Sequence, residues 1–82
     1  MDHAEYDRTV GTNVHEAILE SGLSVRGAAD RSGIPYTTLD RKLKGLSSFT
    51  VADLRRIGQI TRRRADSFMP REPKPRPAKK VA

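Results

Sequence analysis

The apolar residues of this chain are few, but they are concentrated. Of its 17 Leu, Ile, Val and Phe residues, 16 lie between Val10 and Phe68 of the 82-residue sequence. A chain this short folds alone only if it gathers such residues into one core. The distribution predicts a single domain over residues 6–69, and it excludes a two-domain protein, a large enzyme and a deep substrate cavity.

The spacing of the apolar residues is helical throughout this domain. Val10, Val14 and Ile18 recur every four residues, as on one face of an amphipathic helix. Glycines, prolines and the expected N-caps Ser24 and Thr50 divide the rest into shorter helical stretches, and no stretch alternates as a strand does. We therefore expect an all-α bundle of four to five short helices. The predicted helices are 6–21, 25–32, 35–44, 51–61 and 65–69, after a frayed segment at residues 1–5.

Each predicted helix has an expected buried face, and two contain glycine. Inside a helix, glycine costs up to about 1 kcal/mol relative to alanine. Gly11 is therefore expected to loosen the first turns, and Gly58 to be unfavourable unless it permits a close backbone contact. The side chains expected to face inward are Val25, Ala28, Ala29, Leu39, Leu43, Val51, Leu54, Ile57, Ile60 and Phe68.

Positive charge is concentrated in the last third of the chain. Residues 1–50 carry 6 basic and 7 acidic side chains, a net charge of −1, whereas residues 51–82 carry 10 and 3, a net charge of +7. Such a region attracts polyanions, with nucleic acid the first candidate and an anionic membrane surface the second. Residues 70–82 contain four prolines and five basic residues, which predicts a disordered tail. The expected DNA contacts of this tail, which loosely resembles an AT-hook, are Lys74, Arg76, Lys79 and Lys80.

Several classes of chemistry lack the residues that they require. The chain has no cysteine, hence no disulfide and no thiolate zinc site, and His3 and His15 lack partners for another metal. No Ser/His/Asp set, carboxylate pair or glycine-rich phosphate loop stands out, so we expect no catalytic residues, no enzyme activity, no cofactor and no small-molecule substrate. The sequence has no apolar run near the roughly 20 residues of a membrane span, and its first residues lack a signal-peptide pattern. The expected location is an intracellular, reducing compartment.

The segment from Leu23 to Gly45 has the pattern of two short helices joined at a sharp turn. Such a corner requires a small residue where the helices cross, a turn residue that accepts positive φ, and a buried anchor on the second helix. Ala29, Gly33 and Leu39 supply these in order. The pattern is that of a helix-turn-helix, whose second helix stands clear of the body to enter a DNA major groove.

The order and spacing of these residues resemble the phage repressor and Cro family of helix-turn-helix proteins, the xenobiotic-response-element type. The resemblance covers about residues 10–68 and includes the later pattern Leu54-x-x-Ile57-Gly58. It implies a lambda-repressor-like bundle and a transcriptional regulator that occupies operator DNA. It also implies a protein of the bacterial cytoplasm, associated with the nucleoid when bound to double-stranded DNA.

The resemblance assigns the third predicted helix, about residues 36–44, to the major groove. Arg41 is the implied reader of guanine, through its O6 and N7. The chain departs from the family at Val25, where many relatives have a Gln that braces the recognition helix, and at Thr61, where relatives tend to have Leu. The implied base contacts are Tyr36, Thr37, Thr38, Asp40 and Arg41, and the implied phosphate contacts are Ser24, Arg26, Lys44, Ser47 and Ser48.

Three alternatives stay open at the level of sequence. The chain could be an excision or recombination accessory protein, or its helical domain could bind another protein while the tail only keeps it soluble. The run at residues 62–64 could be an exposed loop, or it could contact phosphates beside the main site. A monomer and a weak homodimer on DNA both fit, because the apolar side chains available for pairing are only Leu46, Phe49, Phe68 and Met69.

Overall fold

The computed structural model describes residues 2–70, so the predicted tail contacts Lys74, Arg76, Lys79 and Lys80 lie outside the described residues. Within that range the chain is an all-α bundle without a strand, which confirms the expected fold class. Helix α1 spans His3–Glu20, α2 Val25–Ser32, α3 Tyr36–Leu43 and α4 Val51–Thr61, and a 3-10 helix follows at Ala65–Phe68.

Helix α1 begins before the predicted start at Tyr6. The Asp2 carboxylate accepts the backbone N–H of Glu5 at 2.8 Å and so satisfies a donor that the first turn leaves free. Glu5 itself lies in the first turn, where the helix dipole favours negative charge. The expectation of a frayed start is therefore wrong for residues 2–5, because Asp2 acts as an N-cap.

The core lies where the four helices and the 3-10 helix converge. Most residues expected to face inward do so: Ala28, Ala29, Leu39, Leu54, Ile57 and Phe68 are buried. Val25, Leu43 and Ile60 are partly buried and pack against this cluster. Each fully buried Leu, Ile or Phe contributes roughly 1.5–3 kcal/mol relative to its exposed state, so the core is sufficient for a small domain.

Val51 is the exception among the expected core residues. Its side chain is 71% exposed, so the inward prediction is wrong. It is the first residue of α4, and α4 packs against α1, α2 and the 3-10 helix but not against α3. Nothing among the described residues therefore covers this side of the first turn of α4.

Two glycines allow close backbone approaches between elements. A Cβ on Gly11 would clash with the carbonyl oxygen of Leu43, so α1 and α3 cross where only glycine fits. A Cβ on Gly58 would lie 2.5 Å from the carbonyl oxygen of Arg63, which is the close contact that justifies a glycine within α4. Gly11 thus fixes the position of α3 rather than loosening α1, contrary to the expectation from helix propensity.

The 3-10 helix closes the bundle against α1. Phe68 is only 1% exposed, which confirms that it packs beneath the bundle and removes it from the side chains available for pairing. The Asn13 side-chain amide donates to the Phe68 carbonyl at 3.0 Å, and the Tyr6 hydroxyl donates to Met69 Sδ at 3.2 Å. These contacts fasten the end of the described chain to its first helix.

Candidate nucleic-acid interface

The corner between α2 and α3 has the predicted geometry. Gly33 ends α2 with φ 79°, a left-handed conformation that suits glycine, and its N–H donates to the Ala29 carbonyl at 3.0 Å. Ala29 and the following Ile34 are both buried, so the two helices are held together directly beside the turn. The turn thereby sets the angle at which α3 leaves the body of the domain.

Helix α3 has one buried face and one exposed face. Leu39 is fully buried and anchors the helix, as predicted. Thr37 and Arg41 are exposed, and Tyr36 is 37% exposed at the start of the helix. Thr38 and Asp40 are both half-buried. Of the five predicted base-contacting residues on this short helix, three are therefore exposed and two are half-buried.

The start of α2 meets the start of α3. The Ser24 hydroxyl caps α2 by accepting the N–H of Gly27 at 3.0 Å, which confirms the predicted N-cap. The Arg26 guanidinium lies over the Tyr36 ring, 4.4 Å from its centroid, in a cation–π contact. A predicted phosphate contact and a predicted base contact are thus stacked on each other. Val25 packs against the core, whereas Ser24 and Arg26 on either side of it are exposed.

The other end of α3 carries less free charge than its sequence suggests. Lys44 forms an ion pair with Asp40, one helical turn earlier, at 3.0 Å. Ser48 donates to the carboxylate of Asp7, with both oxygens 2.8 Å from its hydroxyl. Ser47 lies in the same loop. In this conformation, two of the three predicted phosphate contacts after α3 are therefore engaged with carboxylates of the protein itself.

A buried ion pair behind α3 was missed by the sequence analysis. Lys42 pairs with Asp53 of α4, and their side chains are only 14% and 11% exposed. Asp53 also completes the predicted capping box, because it accepts the N–H of Thr50 at 3.0 Å and Thr50 caps the Asp53 N–H in return. The overlooked signal was that Lys42 lies three residues after Leu39, on the side of α3 that turns inward.

The electrostatics of this pair favour the charged carboxylate. Burial alone would raise the pKa of Asp53, but the hydrogen bonds from Lys42 and Thr50 and the positive charge of Lys42 outweigh it, so the pKa lies below its ordinary value. The Lys42 ammonium also lies 6.0 Å from the centroid of the Phe49 ring. Helix α3 and the amino end of α4 are therefore joined by an ion pair shielded from water.

Within residues 2–70, no three His, Asp or Glu side chains are grouped so that they could hold a metal ion. In that part of the chain, no helix has the length and apolar character needed to cross a bilayer.

Comparison with known proteins bears on the same segment. Residues 16–48 match the model of a helix-turn-helix family, the Psq domain. The crystal structure of an HTH_3-family transcriptional regulator from Vibrio cholerae is similar to this chain, with a TM-score of 0.74 and 21% sequence identity. The similarity covers 82% of this chain and 38% of that one, so this chain spans well under half of that regulator. No curated protein matches.

The matched segment contains both helices of the corner. Residues 16–48 include α2, Gly33 and α3 with their exposed polar flank. Over these residues the chain has the geometry of a helix-turn-helix and is similar to the Psq-domain family, and the structural similarity confirms the fold. Neither comparison names the phage repressor and Cro family.

Proposed function

We propose that this protein is a sequence-specific, double-stranded DNA-binding transcriptional regulator, of the kind represented by small phage Cro proteins and repressors. It acts by occupying an operator and excluding polymerase or a competing regulator. The observation that carries the proposal is the two-sided character of α3, in which Leu39 is fully buried while Thr37 and Arg41 face outward. The turn at Gly33, with φ 79°, leads directly into this two-sided helix, which is the arrangement that a helix-turn-helix requires.

The dimensions of α3 fit a major groove. An α-helix with its side chains is about 10–12 Å across, close to the width of the groove, and α3 supplies about two turns of it. Arg41 projects from its outer side and is the proposed reader of guanine, by donating to O6 and N7. Thr37 offers a methyl group to thymine and a hydroxyl to a phosphate. Tyr36 adds a flat face that Arg26 already orients.

Phosphate contacts are proposed on both sides of α3. Ser24 and Arg26 lie at the start of α2, where a hydroxyl and a guanidinium suit backbone oxygens. Lys44 and Ser47 lie at the far end, and Lys44 would exchange its ion pair with Asp40 for a phosphate. Ser48 is a weaker candidate, since its hydroxyl proton already points to Asp7.

Two copies on one operator are the proposed assembly when the site has two-fold symmetry. Val51 and Met69 are exposed beside the half-buried Tyr6 and Phe49, which gives a small apolar surface near α4. A stable interface needs about 800 Å² per partner, so we propose that these few side chains pair only when DNA holds the two copies together. Pairing therefore depends on DNA, and a monomer binds half of the site.

A selection from a random DNA library with the purified protein tests the proposal. We expect enrichment of one short motif, or of two such motifs about one helical turn apart, and steep loss of affinity with rising salt. Recovery of DNA without any enriched motif, at moderate salt, would contradict sequence-specific binding. Footprinting on the motif's natural context then separates a promoter-bound regulator from an accessory protein at a recombination site.

A further inference from the structure

A second basic surface lies at the carboxyl end of α4. Two adjoining depressions open there: one, of about 700 Å³, is lined by Arg55, Gln59 and the run at 62–64, and the other reaches Arg31 of α2. Arg62 and Arg63 line both depressions. We call this the arginine surface, and it consists of Arg31, Arg55, Arg62, Arg63 and Arg64.

Acidic neighbours neutralise only part of this surface. Arg63 pairs with Glu20, and Arg64 pairs with Asp66 through bonds of 3.2 and 3.3 Å. Among residues 2–70, no carboxylate lies within ion-pair distance of Arg31, Arg55 or Arg62. The arginine surface therefore presents three guanidinium groups that no described carboxylate neutralises, and two of them, Arg55 and Arg62, belong to the strongly positive part of the sequence.

The backbone at Arg62 supplies an independent observation. Arg62 ends α4 with φ 59°, in the left-handed region that L-residues rarely adopt. The other described residues with positive φ are all glycines, namely Gly22, Gly33 and Gly45. Glycine would adopt this φ without strain, whereas arginine adopts it only with a strained backbone. Such an outlier points to a role for the side chain itself.

The composition of the arginine surface favours phosphate over protein as its ligand. Its exposed residues are mainly arginines and Gln59, and none of the large exposed apolar side chains of residues 2–70 lines it. Protein interfaces depend on buried aromatic or aliphatic anchors at their centre, whereas DNA interfaces are polar and strongly positive. Guanidinium groups also suit the paired oxygens of a phosphate.

The arginine surface is separate from the base-reading flank. None of its residues belongs to α3, and α4 does not pack against α3. Its edge includes Glu20 and Ser21, which precede the α2 cap Ser24 by a few residues. On α2 the surface reaches Arg31 in the last turn, and not the first turn where Ser24 and Arg26 lie.

We infer that the arginine surface is a second DNA-contacting surface, which binds backbone phosphates outside the base pairs that α3 reads. This inference rests on the proposed function, because the same class of ligand occupies both surfaces. The phosphates belong either to the flanks of the duplex that α3 holds or to a second duplex brought beside it.

Arg62→Gly in the full-length protein is the sharpest variant, because it removes the charge and relieves the backbone at once. We expect its Tm to equal or exceed that of the wild type. For each phosphate that the variant no longer binds, DNA affinity should fall roughly eight-fold at about 0.1 M salt, and the slope of log K against log[salt] should flatten by about 0.9. Arg55→Gln combined with Arg62→Gly should flatten the slope about twice as much.

Arg56→Gln is the matched control. It removes one charge from an exposed position of the same helix, at a residue that lines neither depression. We expect affinity and slope close to those of the wild type. Equal reductions in Arg56→Gln and Arg62→Gly would mean that only net charge matters, and the inference would be wrong.

Two arms distinguish the sources of phosphate. If the surface binds flanking DNA, the Arg62→Gly deficit appears on a duplex of several helical turns and vanishes on one trimmed to about one turn, roughly 10 bp. If it binds a second duplex, the wild type co-captures two differently labelled duplexes and the variant does not. No deficit in either arm would overturn the inference, as would capture of polyglutamate by the wild type alone with unchanged DNA binding.

The failure of this inference is distinguishable from the failure of the proposed function. The slope differences are measured on DNA of arbitrary sequence and do not depend on a preferred motif. If Arg41→Ala loses sequence preference while Arg62→Gly binds DNA as the wild type does, the proposed function is supported and the inference about the arginine surface is wrong.

Discussion

The direction of α3 is set at single residues on either side of it. Gly33 turns the chain with a positive φ, Leu39 holds the helix to the core, and Gly11 lets the backbone of α1 approach the end of α3. On the helix that these residues position, Arg41 is exposed, and it forms no ion pair with any carboxylate of residues 2–70. Its guanidinium group is therefore available to bind a base.

Replacing Arg41 tests the base-reading role at the residue scale. Arg41→Ala should cost about 1–3 kcal/mol on the preferred site and relax the preference at one base pair, because the paired hydrogen bonds to guanine are removed. Binding-site selection and titration on the preferred duplex measure both effects. Arg56→Ala, which also removes an exposed arginine, serves as the control. An unchanged motif in Arg41→Ala would remove this residue from the proposed readout.

Replacing Gly11 tests the crossing of α1 and α3. Gly11→Ala places a Cβ against the Leu43 carbonyl, which is backbone and cannot move aside without shifting α3. We expect a decrease of about 1–3 kcal/mol in the free energy of unfolding, although alanine favours a helix. Thr12→Ala, at the neighbouring exposed position, should change it by less than about 0.5 kcal/mol. Denaturant melts compare the two, and a more stable Gly11→Ala protein would refute the close crossing.

At the scale of elements, α3 is tied to α4 by the ion pair between Lys42 and Asp53 rather than by direct packing of the helices. Asp53 also caps α4 through Thr50, so one carboxylate serves two elements. The pair therefore links the orientation of α3, the proposed base-reading helix, to the capping of α4.

The depressed pKa of Asp53 makes this link dependent on pH. Because the pKa is lower in the folded than in the unfolded state, the stabilisation is fully present above the unfolded value of about 3.9 and is lost as pH falls through the folded value. Asp53→Asn should therefore destabilise the domain by about 1–3 kcal/mol near neutral pH, with a difference that narrows below about pH 4.

Urea melts across the pH range measure this difference. Asp66→Asn is the control, since Asp66 pairs with Arg64 at the surface and exposed pairs contribute little. A deficit in Asp53→Asn that stays constant down to low pH would show that the carboxylate's charge does not stabilise the fold.

Local features of this fold could be predicted from the sequence, whereas contacts between segments distant in the sequence could not. The corner at Ala29, Gly33 and Leu39 could be predicted because its geometry depends on neighbouring residues, and the same is true of the Ser24 and Thr50 caps. The ion pair of Lys42 and Asp53 could not, because it depends on how α3 and α4 meet in space.

The exposure of Val51 and the stack of Arg26 on Tyr36 have the same origin. The helical period correctly places Val51 on the side of Leu54, but it does not reveal whether another element covers that turn. The stack forms because the turn at Gly33 brings the starts of α2 and α3 together. Tertiary placement, rather than local propensity, decides both.

For the whole molecule, charge asymmetry is the dominant feature. The net charge of +7 lies in residues 51–82, whereas α3, the proposed base-reading helix, lies in residues 1–50, whose net charge is −1. In the proposed function, general attraction to DNA and recognition of its sequence therefore belong to different parts of the chain.

Removing residues 71–82 separates these two contributions. The truncated protein should bind all DNA sequences more weakly and show a salt slope flatter by several units, since five of the basic residues are removed. Its preferred motif should be unchanged, because α3 is intact. Equal slopes for the full-length and truncated proteins in a salt titration would show that this segment does not contact phosphates.

The central claim is that the exposed flank of α3 contacts base pairs in the major groove. NMR of the protein bound to its selected duplex tests this claim most directly. We predict intermolecular NOEs between side chains of Tyr36, Thr37 or Arg41 and major-groove protons such as thymine methyl groups and cytosine H5. Bound spectra in which those side chains stay unperturbed, while the NOEs to DNA arise from residues outside α2 and α3, would contradict the account.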